Sequence, residues 1–217
     1  MVPHSVSPPF TEGWHGYYDA MAGTPPRHTL LFALDRFDVE AEQDGKVERF
    51  AIDLGCGEGR DTVEMLRRGW RVLAIDGQKD AIQRLRARPD LPPGAQERLE
   101  TLVCPMEAVH LSPTLLVNAS FALPFCPPEA FPMLWEQIVA SLLPGGRVSG
   151  QFFGVRDSWA SVAPRMTFHT RIEVETLLQP FVIEHLEEAE EDGTTLEGNP
   201  KHWHLFHIIA RNLRGLG

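Results

Sequence analysis

Three glycines at alternate positions, Gly55, Gly57 and Gly59, follow directly on the apolar run "FAIDL" and precede the helical pattern "RDTVEMLRRG". A backbone that bare at a strand end turns sharply and lets a ligand or a neighbouring element come close. The junction opens a series of short strands and amphipathic helices. "RFAIDL", "WRVLAID", "RLETLVC", "TLLVNAS" and "RVSGQFFG" read as strands, the third following the turn "DLPPGA". "RDTVEMLRRG", "QKDAIQRLRAR" and "EAFPMLWEQIVASLL" read as helices, stopped by Gly69, by Pro89 and by "PGG". This alternation predicts a parallel sheet covered by helices on both faces. The tail departs from it. After the helix "HTRIEVETLLQP", the strand-like "FVIEHLEEAEE" and "HWHLFHIIARN" flank the turn-rich "DGTTLEGNPK", which predicts a closing antiparallel pair. The acids of residues 184–197 read either as a solvated edge that discourages edge-to-edge pairing or as a docking surface.

Residues 1–28, rich in Pro, Gly, His and aromatics, read as an N-terminal arm with a short helix near "WHGYYDAM". "RHTLLFALDRFD" has helical apolar spacing, and residues 29–217 are expected to form one domain. With 43% hydrophobic and 23% charged residues the composition is that of a soluble globular chain. A formal charge of −10 argues against nucleic acid as a partner. The start "MVPHSVSPPF" lacks the pattern of a secretory signal, and no run has the length of a membrane span, so no membrane partner is expected. Cys56, Cys104 and Cys126 are widely spaced without a paired motif, which suggests free thiols and a cytoplasmic location.

The glycine spacing narrows the ligand. In the dinucleotide fingerprint a third glycine falls where Arg60 stands here, and no Walker Gly-Lys-Ser/Thr follows. Acids at Asp53, Glu58 and Asp61 would be poor neighbours for a phosphate. They suit a ligand whose near end is zwitterionic and cationic, and S-adenosylmethionine is such a ligand. The second strand ends in Asp76, where a carboxylate can accept both hydroxyls of a ribose.

"DLGCGEGR", the "AID" of the second strand end and "LLPGGRV" before the fifth strand together resemble the class I S-adenosylmethionine-dependent methyltransferases. The layout of "LGCGEGRDTVEMLRRGWRVLAID" and the closing "FHIIARN" is most similar to the small-molecule enzymes of the tellurite-resistance and thiopurine type. The resemblance implies a Rossmann-like, doubly wound α/β fold with a seven-stranded sheet in the order 3-2-1-4-5-7-6, its last strand antiparallel. It implies S-adenosylmethionine as cofactor, S-adenosylhomocysteine as product and a small-molecule acceptor. Carried over by position, Asp53, Gly55, Cys56, Gly57 and Gly59 lie at the methionine moiety, Arg60 at the donor carboxylate and Asp76 at the ribose. Gly77 and Gln78 lie beside ribose or adenine. Where many members have an acid for the adenine amino group, this chain has Cys104, Pro105 and Met106, so packing and backbone contacts replace it. Asn118, Ala119 and Ser120 would floor the cofactor and face the acceptor.

Each of these residues also has a structural use. Asp53 could cap the next helix, Asp76 could start a turn with Gly77, and Asn118 could cap a strand end. Cys56 reads as a packing residue, since no basic partner is visible in the sequence. A binding protein without transferase activity and a dinucleotide enzyme are the competing classes. For the acceptor pocket the candidates are His15, Tyr18, Arg27, Phe121 and His169, with Trp14, Tyr17, Phe153 and Trp159 as a further aromatic lining. His15, His28 and His169 are placed outside the sheet, in covering segments. Among the nine histidines, His202 and His204 share a strand face with His207 on the other, which makes no metal site. The chain is expected to act as a monomer or homodimer.

Overall fold

The computed structural model describes residues 14–21, 23–44, 49–196 and 198–214. Two helices come first, α1 (His15–Met21) and α2 (His28–Asp44). There follow β1 (Phe50–Leu54), α3 (Arg60–Arg67), β2 (Arg71–Asp76), α4 (Lys79–Arg86), α5 (Ala95–Arg98), β3 (Leu99–Val103) and β4 (Thr114–Ala119). The chain continues through α6 (Phe131–Ser141), β5 (Leu142–Gly154), β6 (Phe168–His169), α7 (Arg171–Leu178), β7 (Val182–Thr194) and β8 (Pro200–Arg211). The strand order is β3-β2-β1-β4-β5-β8-β7, with β6 added alongside β5. Strands β1 to β6 pair in parallel, while β8 runs antiparallel to both β5 and β7. Apart from the two-residue β6, which raises the strand count to eight, this is the doubly wound sheet expected from the sequence.

Alternation along the central strands builds a core on each face. Ile52 and Leu54 of β1 join Val117 and Ala119 of β4 against Phe131, Trp135 and Ile138 of α6. Ala51 and Leu116 point the other way, into a layer of Leu30 and Leu34 from α2 with Met65 and Leu66 from α3. Local signals set the helix ends. Gly59 precedes α3 in a left-handed conformation, and Thr170 begins α7 in a full capping box with Glu173. Arg147, fully buried on β5, binds Glu40 of α2 and Glu184 of β7, which fixes α2 across the sheet.

Two boundaries differ from expectation. "PGG" does not close a helix before the fifth strand; β5 already begins at Leu142, and its pairing with β4 shifts register between Thr114 and Leu116. Gly146 fits that bulge because a side chain there would press on the carbonyls of Leu143 and Leu115 at 2.9 and 3.0 Å. The long turn-rich loop of the tail is shorter than expected, because β7 runs to Thr194 and β8 begins at Pro200. The acids of β7 form an exposed edge met by cations: Arg156 binds Glu188 and Glu190, and His202 binds Glu190 and Asp192.

Candidate functional site

The site gathers where β1, β2 and β4 end side by side. Gly55, Gly57 and Gly59 all have positive φ, and each meets a different neighbour. A Cβ at Gly55 would lie 2.5 Å from Cβ of Ala122, and one at Gly59 would lie 2.2 Å from Leu85 of α4. These two positions are held bare by packing. Among the described residues, Tyr18 of α1 is the one that approaches Gly57, at 3.6 Å from an added Cβ.

Asp76 ties the loop to the end of β2. One carboxylate oxygen accepts from the Gly57 amide at 2.9 Å and the other from the Gln78 amide at 2.8 Å. Burial raises its pKa, opposed by these two amides. An ionised carboxylate has about four acceptor positions, so roughly two remain for a ligand diol. Gly77 packs on Pro105, whose α-carbon would be 3.6 Å from a Cβ there, and the Cys104 amide donates to the Asp76 carbonyl. Cys104, Pro105 and Met106 thus stand next to Asp76, with Met106 starting a short 3-10 turn.

The acids on the other side of the loop form a buried network. Asp53 accepts from Thr62 Oγ1 at 2.5 Å and from Asn118 Nδ2 at 2.9 Å, and the same Nδ2 reaches Asp61 at 3.2 Å. Ser120 and Ser149 donate to Asn118 Oδ1, so its four hydrogen-bonding positions are all occupied within the protein. Burial and the neighbouring Asp61 push Asp53 up to about 7. Arg60 binds Asp61 through Nε at 3.0 Å. Cys56 is buried, and its thiol is pushed up by burial and then by Asp53 and Asp76, an environment that suppresses nucleophilicity. A cavity bounded by Asp53, Gly57, Asp61 and Ser120 is also lined by Tyr17 and Met21 of α1.

The acceptor-pocket candidates separate. Tyr18 is buried over Gly57, with Trp14 stacked near it and in edge contact with Phe125. The backbone amide of Arg27 donates to Asp61, and its guanidinium lies 4.3 Å from the Phe121 ring centroid. Phe121 itself has φ 53°, a strained value for a non-glycine residue, and its amide is held by Gln151 Oε1 at 2.8 Å. Trp159 and Phe153 cluster with Trp203 around the buried Lys201–Asp157 pair, and Phe153 joins that cluster to Phe121 in an edge contact at 6.3 Å between ring centroids. His169 does not lie outside the sheet. It pairs with Gly154 in β6, and its ring packs at 4.7 and 5.2 Å from those of Phe131 and Phe152, where burial lowers its pKa to about 4. The His15 side chain, like the arm before residue 14, is outside the described residues. Sequence reasoning missed Met21 and Gln151. The second left a trace, a lone amide within the buried strand pattern "VSGQFFG".

Known proteins share this fold. A family model described as a methyltransferase domain matches residues 51–146, from β1 to the bulge of β5. TehB from Haemophilus influenzae superimposes with a TM-score of 0.68 at 16% identity, covering 90% of this chain and 66% of its own. The fold is that of the class I methyltransferases. The methyltransferase 1,6-didemethyltoxoflavin-N1-methyltransferase of Burkholderia thailandensis, solved with 1,6-didemethyltoxoflavin and S-adenosylhomocysteine, superimposes at TM-score 0.59 and 20% identity, over 92% of this chain and 83% of that one. A carboxy-S-adenosyl-L-methionine synthase from Photobacterium profundum is 32% identical over 114 residues, 49% of this chain. The chain spans less than half of that relative, 45% of its length. Among the described residues, no helix is long and apolar enough to cross a membrane.

Proposed function

We propose that this chain binds S-adenosylmethionine across the Gly55–Gly59 loop and transfers its methyl group to a small-molecule acceptor. The observation that carries the reading is Asp76, which fastens the bare glycine loop while keeping acceptor capacity for a ribose. The residues fit the cofactor in a second respect. At Gly57 the backbone is bare and, among the described residues, the aromatic side chain of Tyr18 stands beside it, which leaves the backbone itself free for close ligand approach. The Burkholderia protein of this fold holds S-adenosylhomocysteine and a small heterocycle, which supports the same ligand classes here.

When bound, the cofactor supplies an electrophilic sulfonium methyl that an acceptor lone pair takes by in-line displacement. The chain's own part is alignment and exclusion of water. Glu58 and Asp61 line the cavity with acidic groups that favour a cationic ligand, and Asn118 holds Asp53 and Asp61 in place. Tyr17 and Met21 of α1 line it and Tyr18 packs beside it on Gly57, so α1 acts as a lid over the donor. Arg27, stacked on Phe121, stands at the edge where an acceptor would enter. A hydroxyl acceptor needs a base, and a thiolate or oxyanion does not. His169, in the core, does not serve as that base.

Calorimetry with S-adenosylmethionine, S-adenosylhomocysteine and NADH tests the donor site. A mass-spectrometric product assay over an acceptor panel then tests transfer. Binding of the first two without NADH, together with S-adenosylhomocysteine formation that depends on acceptor, is the expected result. Binding without any turnover would favour a sensing protein, and binding of NADH alone would overturn the reading.

A further inference from the structure

His28, His185 and Glu187 lie far apart in sequence and meet on one face of the sheet. His28 begins α2, which packs across β5 and β8. His185 and Glu187 alternate along β7 and therefore project to the same side. One potential ligand atom from each of the three lies within 4.8 Å of the others. His207, directly opposite Glu187 on β8, stands beside them with its ring centroid 4.8 Å from that of His28. On sequence alone only His202, His204 and His207 come into question for a metal, because nothing in the spacing foretells that α2 brings His28 to β7.

Two details favour a ligand over a hydrogen-bonded cluster. His185 Nε2 is enclosed and has no hydrogen-bond partner among the described residues, and Glu187 Oε2 stands 3.4 Å from it. That separation is long for a hydrogen bond. It matches the edge of a tetrahedron whose corners sit about 2.1 Å from a zinc-like ion, an edge of roughly 3.4 Å. We propose that His28, His185 and Glu187 form a binding site for a divalent transition-metal cation of the zinc type, with its remaining position open to water or a small solute.

Two imidazoles and one carboxylate suit a borderline cation and not magnesium or calcium, which take oxygen ligands. Partial desolvation and the neighbouring His185 lower the pKa of His28, and burial and then His28 lower that of His207 to about 4. For His28 this favours neutral imidazole, the ligating form. Arg27 adds positive charge next to His28, and Glu187 is the one acid of the set, so moderate affinity follows. The location is informative. His207 lies 6.4 Å from Phe121, the ring that carries Arg27, so the cation would sit beside the edge assigned above to the acceptor. The site itself does not depend on that assignment.

The 217-residue chain stripped with chelator and titrated with ZnCl2 by calorimetry tests the site, with MgCl2 as the comparison. About one equivalent of Zn2+ should bind saturably, raise the melting temperature and outcompete Mg2+. His28→Ala, His185→Ala and Glu187→Gln should each weaken Zn2+ binding at least ~10-fold. Melting of the metal-free variants checks that they fold; His28 and Glu187 are exposed, so at least these two should. His202→Ala, which alters the separate histidine–acid cluster of the β7 edge, should leave affinity unchanged. The proposal is overturned by absence of saturable Zn2+ binding, by binding that survives the His28→Ala/His185→Ala double change, or by binding lost in His202→Ala, which would point to the other cluster.

Discussion

The Gly57 amide donates to Asp76 at 2.9 Å, so a single carboxylate both shapes the glycine loop and ends the strand from which a ribose would be read. Asp76→Ala should weaken S-adenosylhomocysteine binding by about 1–3 kcal/mol through lost charge-assisted bonds. It should also cost about 1 kcal/mol of folding stability, because the Gly57 and Gln78 amides lose their acceptor. Calorimetry and urea denaturation read the two effects separately. Reduced stability with unchanged affinity would leave Asp76 a purely structural residue.

The glycines should divide by their neighbours. Gly59→Ala forces a methyl into Leu85 at a positive φ and is expected to destabilise the fold by about 1–3 kcal/mol. At Gly57 a Cβ makes ordinary contact with Tyr18, at 3.6 Å, so Gly57→Val should strain the backbone and press on that ring locally, and its main consequence should be loss of cofactor binding with the sheet retained. Circular dichroism with ligand titration distinguishes them. Normal binding by folded Gly57→Val would show that no ligand approaches this backbone.

Asp53 should make stability fall as pH rises. In the folded chain its pKa stands near 7, above the ordinary value of 3.8 that it regains on unfolding. Between these values the native state holds a proton that the unfolded state has released, so stability declines from about pH 4 to pH 7 and then levels off. Asp53→Asn should flatten that part of the profile. Denaturation midpoints from pH 4 to pH 8, taken as the difference between parent and variant, measure it; parallel profiles would refute the buried-acid assignment.

α1 should be protected by ligand. Tyr18 is buried against Gly57, and Tyr17 and Met21 bound the same cavity, so a molecule held there would stabilise their helix. Hydrogen exchange with and without S-adenosylhomocysteine should show added protection from Trp14 to Arg27. Tyr18→Ala should raise the Kd for S-adenosylhomocysteine about tenfold or more by opening the cover to water. Unchanged exchange across this segment on ligand binding would make the arm a structural brace instead of a lid.

Much of the fold was legible in the chain itself. Buried parallel strands need continuous apolar runs, helices show their caps, and left-handed turns favour glycine, so "FAIDL", "RVLAID" and the Gly55–Gly59 loop announce themselves locally. Asp76 was legible because strand ends align in a parallel sheet. What the sequence could not disclose depends on which segments meet. Packing around Phe131 and Phe152 drew His169 into β6 and out of the candidate pocket. Asn118 turned inward because two buried acids, Asp53 and Asp61, needed a shared donor. Likewise, the crossing of α2 over the sheet, secured by Arg147 between Glu40 and Glu184, brought His28 to His185 and Glu187. Local conformation follows from each residue's own backbone and periodicity, whereas these contacts exist only once burial selects which surfaces are pressed together.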